Sequence, residues 1–317
     1  MKLGNWALSL SFFVALTLSA GSVFAQDDQG APPDPALQSH LRAQLFAGQA
    51  ANRGASAARK SQSRLKSDAA SPDATQTCTY TFTSGSGTTY LKFCVTVNGN
   101  IAQFESPSGV EQIDQGGTPL EGYGICDLTT SVAYYDYAGE DSGNWGSPTT
   151  VSYSATSVKI ERTTSDGAWT LTQTISSAAG ISPYAKVIMA LKNNSGEGKE
   201  AILLRYFSPV PDNAGSTGNY NENFDASFDS AWGYFGYSTA SPYGMMIQNV
   251  GNPTPASVPY GRSGLAQNTF KGPAPCNWTA MEASPVINNV GSSYYVYFFE
   301  ELNKGQTVTV TDKYFSF

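Results

Sequence analysis

From Cys78 to Phe317 the chain is built of short runs of Val, Ile, Thr, Tyr and Phe, broken by Gly, Asn, Asp, Ser and Pro. β-Branched and aromatic residues suit a pleated, half-buried surface, and the interrupting residues are turn formers. This texture predicts an all-β domain. Strands are expected over 77–83, 89–97, 101–105, 121–126, 131–137, 149–154, 157–163, 169–176, 185–192, 201–207, 232–238, 245–250, 294–300 and 306–315.

One pairing follows in register from the sequence. Asp166-Gly167 is a favoured type I′ hairpin turn, because both central residues need positive φ. Pairing Ser165 with Ala168 places Val158 opposite Ile175 and Arg162 opposite Leu171. Trp169, Leu171 and Ile175 then share a face with Val158 and Ile160, while Lys159, Glu161 and Thr163 meet Thr174, Thr172 and Thr170 on the other. One dry face and one wet face describe an antiparallel sheet covering a core. The runs 187–191, 201–204 and 295–299 are apolar at every position, as central strands buried on both sides are. The expected architecture is a large antiparallel β-sandwich. Arg205 interrupts one such strand and is expected to face solvent at its end rather than a buried carboxylate.

Asn98-Gly99-Asn100 between strands, Leu191-Lys192-Asn193-Asn194-Ser195 ending another, and Leu302-Asn303-Lys304-Gly305-Gln306-Thr307 before the last strand follow an order that resembles the β-supersandwich of galactose-mutarotase-like proteins. The resemblance implies a supersandwich-like fold. That family's enzymes act at the sugar ring with histidine and a carboxylate. The single histidine here is His40, outside 77–317, so the resemblance implies the fold without the epimerase activity.

The N-terminus reads as an export signal: Lys2, a mostly apolar stretch from Trp6 to Ala20, and Val23-Phe24-Ala25 ahead of a cleavage point. Residues 1–25 are assigned to a signal peptide, 26–76 to a disordered linker with a short helix over 36–49, and 77–317 to one β-sandwich domain. The protein is expected to be secreted, or periplasmic or extracellular, where cysteines pair. Cys78 and Cys94 flank the turn Ser84-Gly85-Ser86-Gly87. In a hairpin centred near Ser86 they stand opposite each other, leaving Cys126 to join Cys276. Residues 76–317 carry twenty acidic and eleven basic side chains, a net of −9. That balance is a poor match to a phosphate backbone and excludes a nucleic-acid partner. No stretch after the signal is long and apolar enough for a transmembrane helix. The tail Tyr314-Phe315-Ser316-Phe317 is read as the last core strand rather than a membrane-barrel strand, which would alternate more cleanly.

Without histidine the domain lacks the usual partner of a nucleophilic serine and the commonest metal ligand. Glycoside hydrolysis needs only two carboxylates. Glu121, Asp136, Glu222, Asp225, Glu300 and Glu301 qualify by type, and no spacing selects two of them. Two polar-aromatic groups stand out. Tyr134, Tyr135, Tyr137 and Trp145 accompany Asp136, Glu140 and Asp141, and Gly143-Asn144-Trp145-Gly146 reads as an exposed loop tip. Trp232, Tyr234, Phe235 and Tyr237 form the second. Flat rings beside carboxylates and amides suit sugars, so Trp145, Tyr135, Tyr137, Trp232 and Tyr234 are the candidate ligand-binding residues. Asp212, Glu222, Asp225 and Asp229 lie in an oxygen-rich stretch that suits calcium, the one cofactor the sequence admits. The reading is an exported, non-catalytic β-sandwich protein that binds carbohydrate or another extracellular polymer. The alternatives are a carbohydrate-active enzyme using a carboxylate pair and an adhesion module without a ligand site.

Overall fold

The computed structural model describes residues 77–113, 121–139, 141–180, 182–208, 220–225, 230–235, 243–250, 261–266, 275–276, 286–287 and 293–316. The signal-peptide and linker assignments lie outside them. The described strands pair antiparallel throughout and form three sheets. The smallest runs β1 (Tyr80–Ser84), β2 (Leu91–Val95), β3 (Ile101–Glu105). The second has the order β14 (Gly261–Ala266), β16 (Ser293–Leu302), β10 (Lys199–Phe207), β4 (Glu121–Asp127), β5 (Val132–Asp136). The largest has the order β15 (Val286–Ile287), β11 (Tyr220–Asp225), β12 (Ser230–Phe235), β13 (Tyr243–Asn249), β17 (Thr307–Ser316), β9 (Tyr184–Asn193), β8 (Trp169–Ala178), β7 (Ser157–Thr163), β6 (Thr149–Tyr153). Among the described residues no helix is long and apolar enough to cross a membrane.

The Asp166-Gly167 hairpin has the expected register, with Val158 opposite Ile175 and Arg162 opposite Leu171, but not the expected type I′ turn: of the two central residues only Gly167 has positive φ (+75°), and its N–H bonds back to the Thr164 carbonyl. The hairpin's dry face joins a core that all three sheets share. Val158, Ile160, Trp169, Leu171, Val187, Met189 and Val310 meet Tyr123, Ile125, Leu203 and Phe207 of the second sheet and Phe82, Phe93 and Phe104 of the smallest. Burial of a Leu, Ile or Phe is worth roughly 1.5–3 kcal/mol, so this shared core is the main source of stability. β10 is buried on both sides, as its unbroken apolar run requires. Leu203 and Phe207 face the shared core, and Ile202, Leu204 and Tyr206 face a second cluster with Cys126 and Tyr137. β9 departs from expectation: Ile188 and Ala190 are only half-buried, so one face is dry. Their cross-strand neighbours are Thr174 and Thr172 on β8 and Thr311 and Thr309 on β17, which keep that face hydrated.

Both expected disulfides form, Cys78–Cys94 and Cys126–Cys276. The first forms in a different register from the expected one. Thr81, not Cys78, stands opposite Cys94, and Cys78 precedes β1. The connection contains a 3-10 turn over Gly87–Thr89, closed by a Thr89 N–H to Ser86 carbonyl bond, which moves the hairpin centre away from Ser86. Three strands escaped the sequence reading: β11, β14 and β15. Glu222 and Asp225 lie on β11, so the stretch read as a calcium loop is strand there. Pairing with β12 outweighs the turn preference of Asn and Asp, because a ladder satisfies every backbone polar group at once.

Candidate functional site

Among the described residues, one buried polar cluster bridges the sheets. Arg205 on β10 is fully buried and pairs with Glu121 on β4 at 2.5 Å, the reverse of the solvent-facing position expected for it. Strand pairing on both sides of β10 leaves its core-facing side chains no route to water, so the guanidinium needs partners inside. It donates to the Tyr314 hydroxyl (3.2 Å), Gln173 Oε1 (2.5 Å) and the Gly99 carbonyl (3.3 Å). Glu121 accepts from the Tyr314 hydroxyl (2.7 Å) and the Ile101 N–H (2.5 Å). Burial pushes the Glu121 carboxyl up, against the pull of the guanidinium. Burial also disfavours the charge on Arg205, but Glu121, Tyr314 and Asp312 together outweigh it and hold the pKa above its ordinary value. Gly99 permits this arrangement. Its φ is +92°, and a Cβ there would meet Gln173 Nε2 at 2.5 Å. With both charged groups at zero exposure, this cluster is structural.

The second cluster lies where β5 leads into β6 and holds Trp145 with Asp136 and Asp141, while Tyr135 and Tyr137 belong to a separate cluster with Tyr206. Arg162 donates to Asp136 Oδ2 (2.6 Å) and to the Tyr123 hydroxyl (2.9 Å), and lies 3.8 Å from Asp141. Its guanidinium also stands over the Trp145 ring at 5.3 Å, a cation–π contact. Trp145 meets Tyr123 and Tyr134 edge-on and is only 9% exposed, so the exposed loop tip expected there is corrected. Its position forms a bridge with Thr164 beside the Asp166-Gly167 turn, which turns the ring inward. Tyr135 and Tyr137 stack at 5.0 Å; Tyr137 is buried against Tyr206, and Tyr135 is half-buried. Asp136 also accepts from Asn98 Nδ2 at 2.8 Å. Burial and the neighbouring Asp136 charge push the Asp141 carboxyl up to about 6, and a hydrogen bond from the Gly143 N–H and the charge of Arg162 only partly offset this. The strands can pair this closely because Gly122 has no side chain: a Cβ there would lie 1.9 Å from the Asp136 carbonyl oxygen.

The downstream candidates do not join this cluster. Trp232 on β12 is fully buried. Tyr234 is on the same strand, two positions further along. Glu222 and Asp225 are three positions apart on β11, and Asp212 and Asp229 lie outside the described residues. Among the described residues no group of three or more His, Cys, Asp or Glu is placed to hold a metal.

Among the described residues, the exposed aromatic is one that sequence reasoning passed over. Tyr153, at the end of β6, is 57% exposed, and Val151 beside it is 49% exposed. The Tyr153 ring rests on Tyr80 of β1 at 5.0 Å and approaches Phe82 at 6.1 Å. The Tyr80 hydroxyl shares a 2.5 Å hydrogen bond with the Thr150 hydroxyl. β1 and β6 are open edges of two different sheets, and these contacts form a seam between them. A β-bulge between Thr150 and Ser152 takes Val151 out of the ladder, and bulges re-aim the side chains around them. Thr149, Ser152, Thr81 and Thr83 are exposed on the other face of the same two strands. The available sequence signal was weak: no charged residue occurs from Trp145 to Val158 or from Thr77 to Leu91.

The domain is thus an antiparallel all-β protein with two disulfides, which belong with an oxidising compartment. No protein-family model matches the chain. No curated protein matches it either. Solved structures with a similar course include a polysaccharide lyase (TM-score 0.43, 9% identity, 74% of this chain and 33% of that one). A heparinase III with methylated lysines is similar at TM-score 0.40 and 7% identity, over 75% of this chain and 34% of that one. A mutant of the heparan sulfate lyase HepC from Pedobacter heparinus is similar at TM-score 0.42 and 12% identity, over 89% of this chain and 41% of that one. The chain spans a third to two fifths of the length of these enzymes. At such scores the likeness assigns neither family nor activity.

Proposed function

We propose that this chain is an exported, non-catalytic binder of an extracellular polysaccharide, and that the polymer rests on the seam between β1 and β6. The observation that carries the reading is the Tyr153 ring, 57% exposed and backed by Tyr80, whose hydroxyl meets that of Thr150. A tyrosine presents an apolar face with a polar tip, and a pyranose ring presents apolar C–H faces edged with hydroxyls, so the two surfaces match. The backing ring holds Tyr153 in place before ligand arrives, which lowers the entropy cost of binding.

The disulfide-bonded full chain is expected to bind one or more polysaccharides on a glycan array. Tyr153→Ala is expected to weaken that binding about tenfold or more, a loss of about 1.4 kcal/mol. Its melting temperature should stay near that of the parent, because the ring is mostly in solvent. Tyr153→Phe keeps the apolar face and should retain most of the binding. A blank array would sink the proposal.

The Asp136–Asp141 pair favours a second reading, a carboxylate-dependent glycosidase. Asp141 would hold a proton up to about pH 6 and is the natural acid of such a pair. The two side chains hydrogen-bond each other, however, and so stand closer than the roughly 5–10 Å that glycoside hydrolysis uses. Both also lean on Arg162, which gives them a structural task.

A further inference from the structure

We propose that the seam selects an uncharged glycan chain over an anionic one. The inference rests on the reading of the seam as the polysaccharide site and adds the chemistry of what it accepts. Directly paired residues in a sheet share a face. Tyr153 pairs with Val158 and Thr150 with Ile160, both buried, so Tyr153 and Thr150 belong to the core side of the largest sheet, at its rim. Tyr80 pairs with Val95 and Phe82 with Phe93, likewise buried, so the β1 side of the seam has the same orientation.

The charged residues nearest in the ladders belong to the opposite faces. Lys159 pairs with Ser152 and Glu161 with Thr149. Lys92 pairs with Thr83 and is engaged with Glu105 at 3.7 Å. The two sequence stretches that form the seam, Thr77–Leu91 and Trp145–Val158, contain no Lys or Arg. A carboxylate or sulfate on the sugar would therefore lose water without gaining a cation from these two strands, and an anion stripped of water without a partner is costly. The net charge of −9 over 76–317 adds repulsion as the polymer approaches. Neutral sugar hydroxyls carry no such penalty and match the hydroxyls of Thr150, Tyr80 and Tyr153, which share this face, as donors and acceptors. A protein β-strand is a poorer occupant, because the bulge in β6 interrupts the run of backbone groups an added strand would pair with.

The test uses matched probes: neutral polysaccharides that bind the disulfide-bonded full chain on the array, each compared with the same polymer after sulfation. The neutral form is expected to bind, with loss in Tyr153→Ala. The sulfated form is expected to bind at least tenfold more weakly, and more weakly still at 10 mM salt than at 150 mM, because repulsion is less screened. Equal or tighter binding of the sulfated form overturns the selection and leaves the polysaccharide reading standing. Neutral binding that survives Tyr153→Ala overturns the seam as its site. Binding of neither form overturns both the selection and the function on which it rests.

Discussion

Asp141 is the side chain whose environment most clearly predicts a pH effect. It faces the Asp136 carboxylate across a β-bridge, with Arg162 at 3.8 Å and the Tyr123 hydroxyl on the same guanidinium. Its native pKa of about 6 lies above the ordinary 3.8, so the folded state favours the protonated form. Below pH 4 the group is protonated in folded and unfolded chains alike and has no effect. As the pH rises from about 4 through 6 the unfolded chain ionises first, and the native state loses stability until the pH is well above 6; solvent screening of this partly exposed group keeps the loss to about 1 kcal/mol. Asp141→Asn removes the repulsion and keeps the oxygen that accepts from the Gly143 N–H at 2.6 Å. The variant should melt higher than the parent at pH 7.5 and alike at pH 3.5. A lower melting temperature at pH 7.5 would mean that the attraction to Arg162 is the larger effect. None of this was legible in the sequence. Asp136 and Asp141 were visible as acids in an aromatic stretch, but Arg162 lies in another strand, and only its approach makes the two carboxylates one unit.

Strands were legible where a local rule acts. Asp166-Gly167 marks the chain reversal, and alternation assigns every side chain of β7 and β8 to a face as found, although the turn is not the type I′ expected. The rule weakened where turn and register were not tied together. The Ser84–Tyr90 connection between β1 and β2 did not centre on Ser86, and Cys94 came to face Thr81. It failed for β11, whose Asn and Asp residues read as loop until β12 and β15 supplied pairing on both sides. The same dependence on neighbours explains Arg205. β10 lies between β16 and β4, and its core side lies against β17 and β8 through Tyr314 and Gln173. Removing one member of a buried pair strands the other charge, at a cost of about 3–5 kcal/mol. Arg205→Met should therefore destabilise the domain by that amount in urea unfolding. Arg205→Met combined with Glu121→Leu should recover much of the loss. A double variant no better than the single one would show that Tyr314, Gln173 and the Gly99 carbonyl hold the cluster independently of the ion pair.

At the scale of the whole molecule, the Cys126–Cys276 bridge ties β4 to a residue 150 positions away. Closing a loop of that length restricts the unfolded chain by about 5 kcal/mol in the chain-entropy model. Replacing both cysteines by alanine should lower the melting temperature more than the same change at Cys78 and Cys94, whose separation of 16 is worth about 3 kcal/mol in the same model. Equal losses would place the stabilisation in local packing instead. The β class, the hairpin register, the choice of cysteine partners and the absence of histidine from the domain were all determined by the sequence alone. Each follows from neighbours in the chain, from composition, or from the period-two alternation of a strand. The tertiary structure decided which aromatic rings reach water. It buried Trp145, Tyr137 and Trp232 and left Tyr153 at the rim, resting on a ring more than seventy residues earlier in the chain. Exposure depends on which strands end a sheet and which edges meet, and those are set by long-range packing of the shared core.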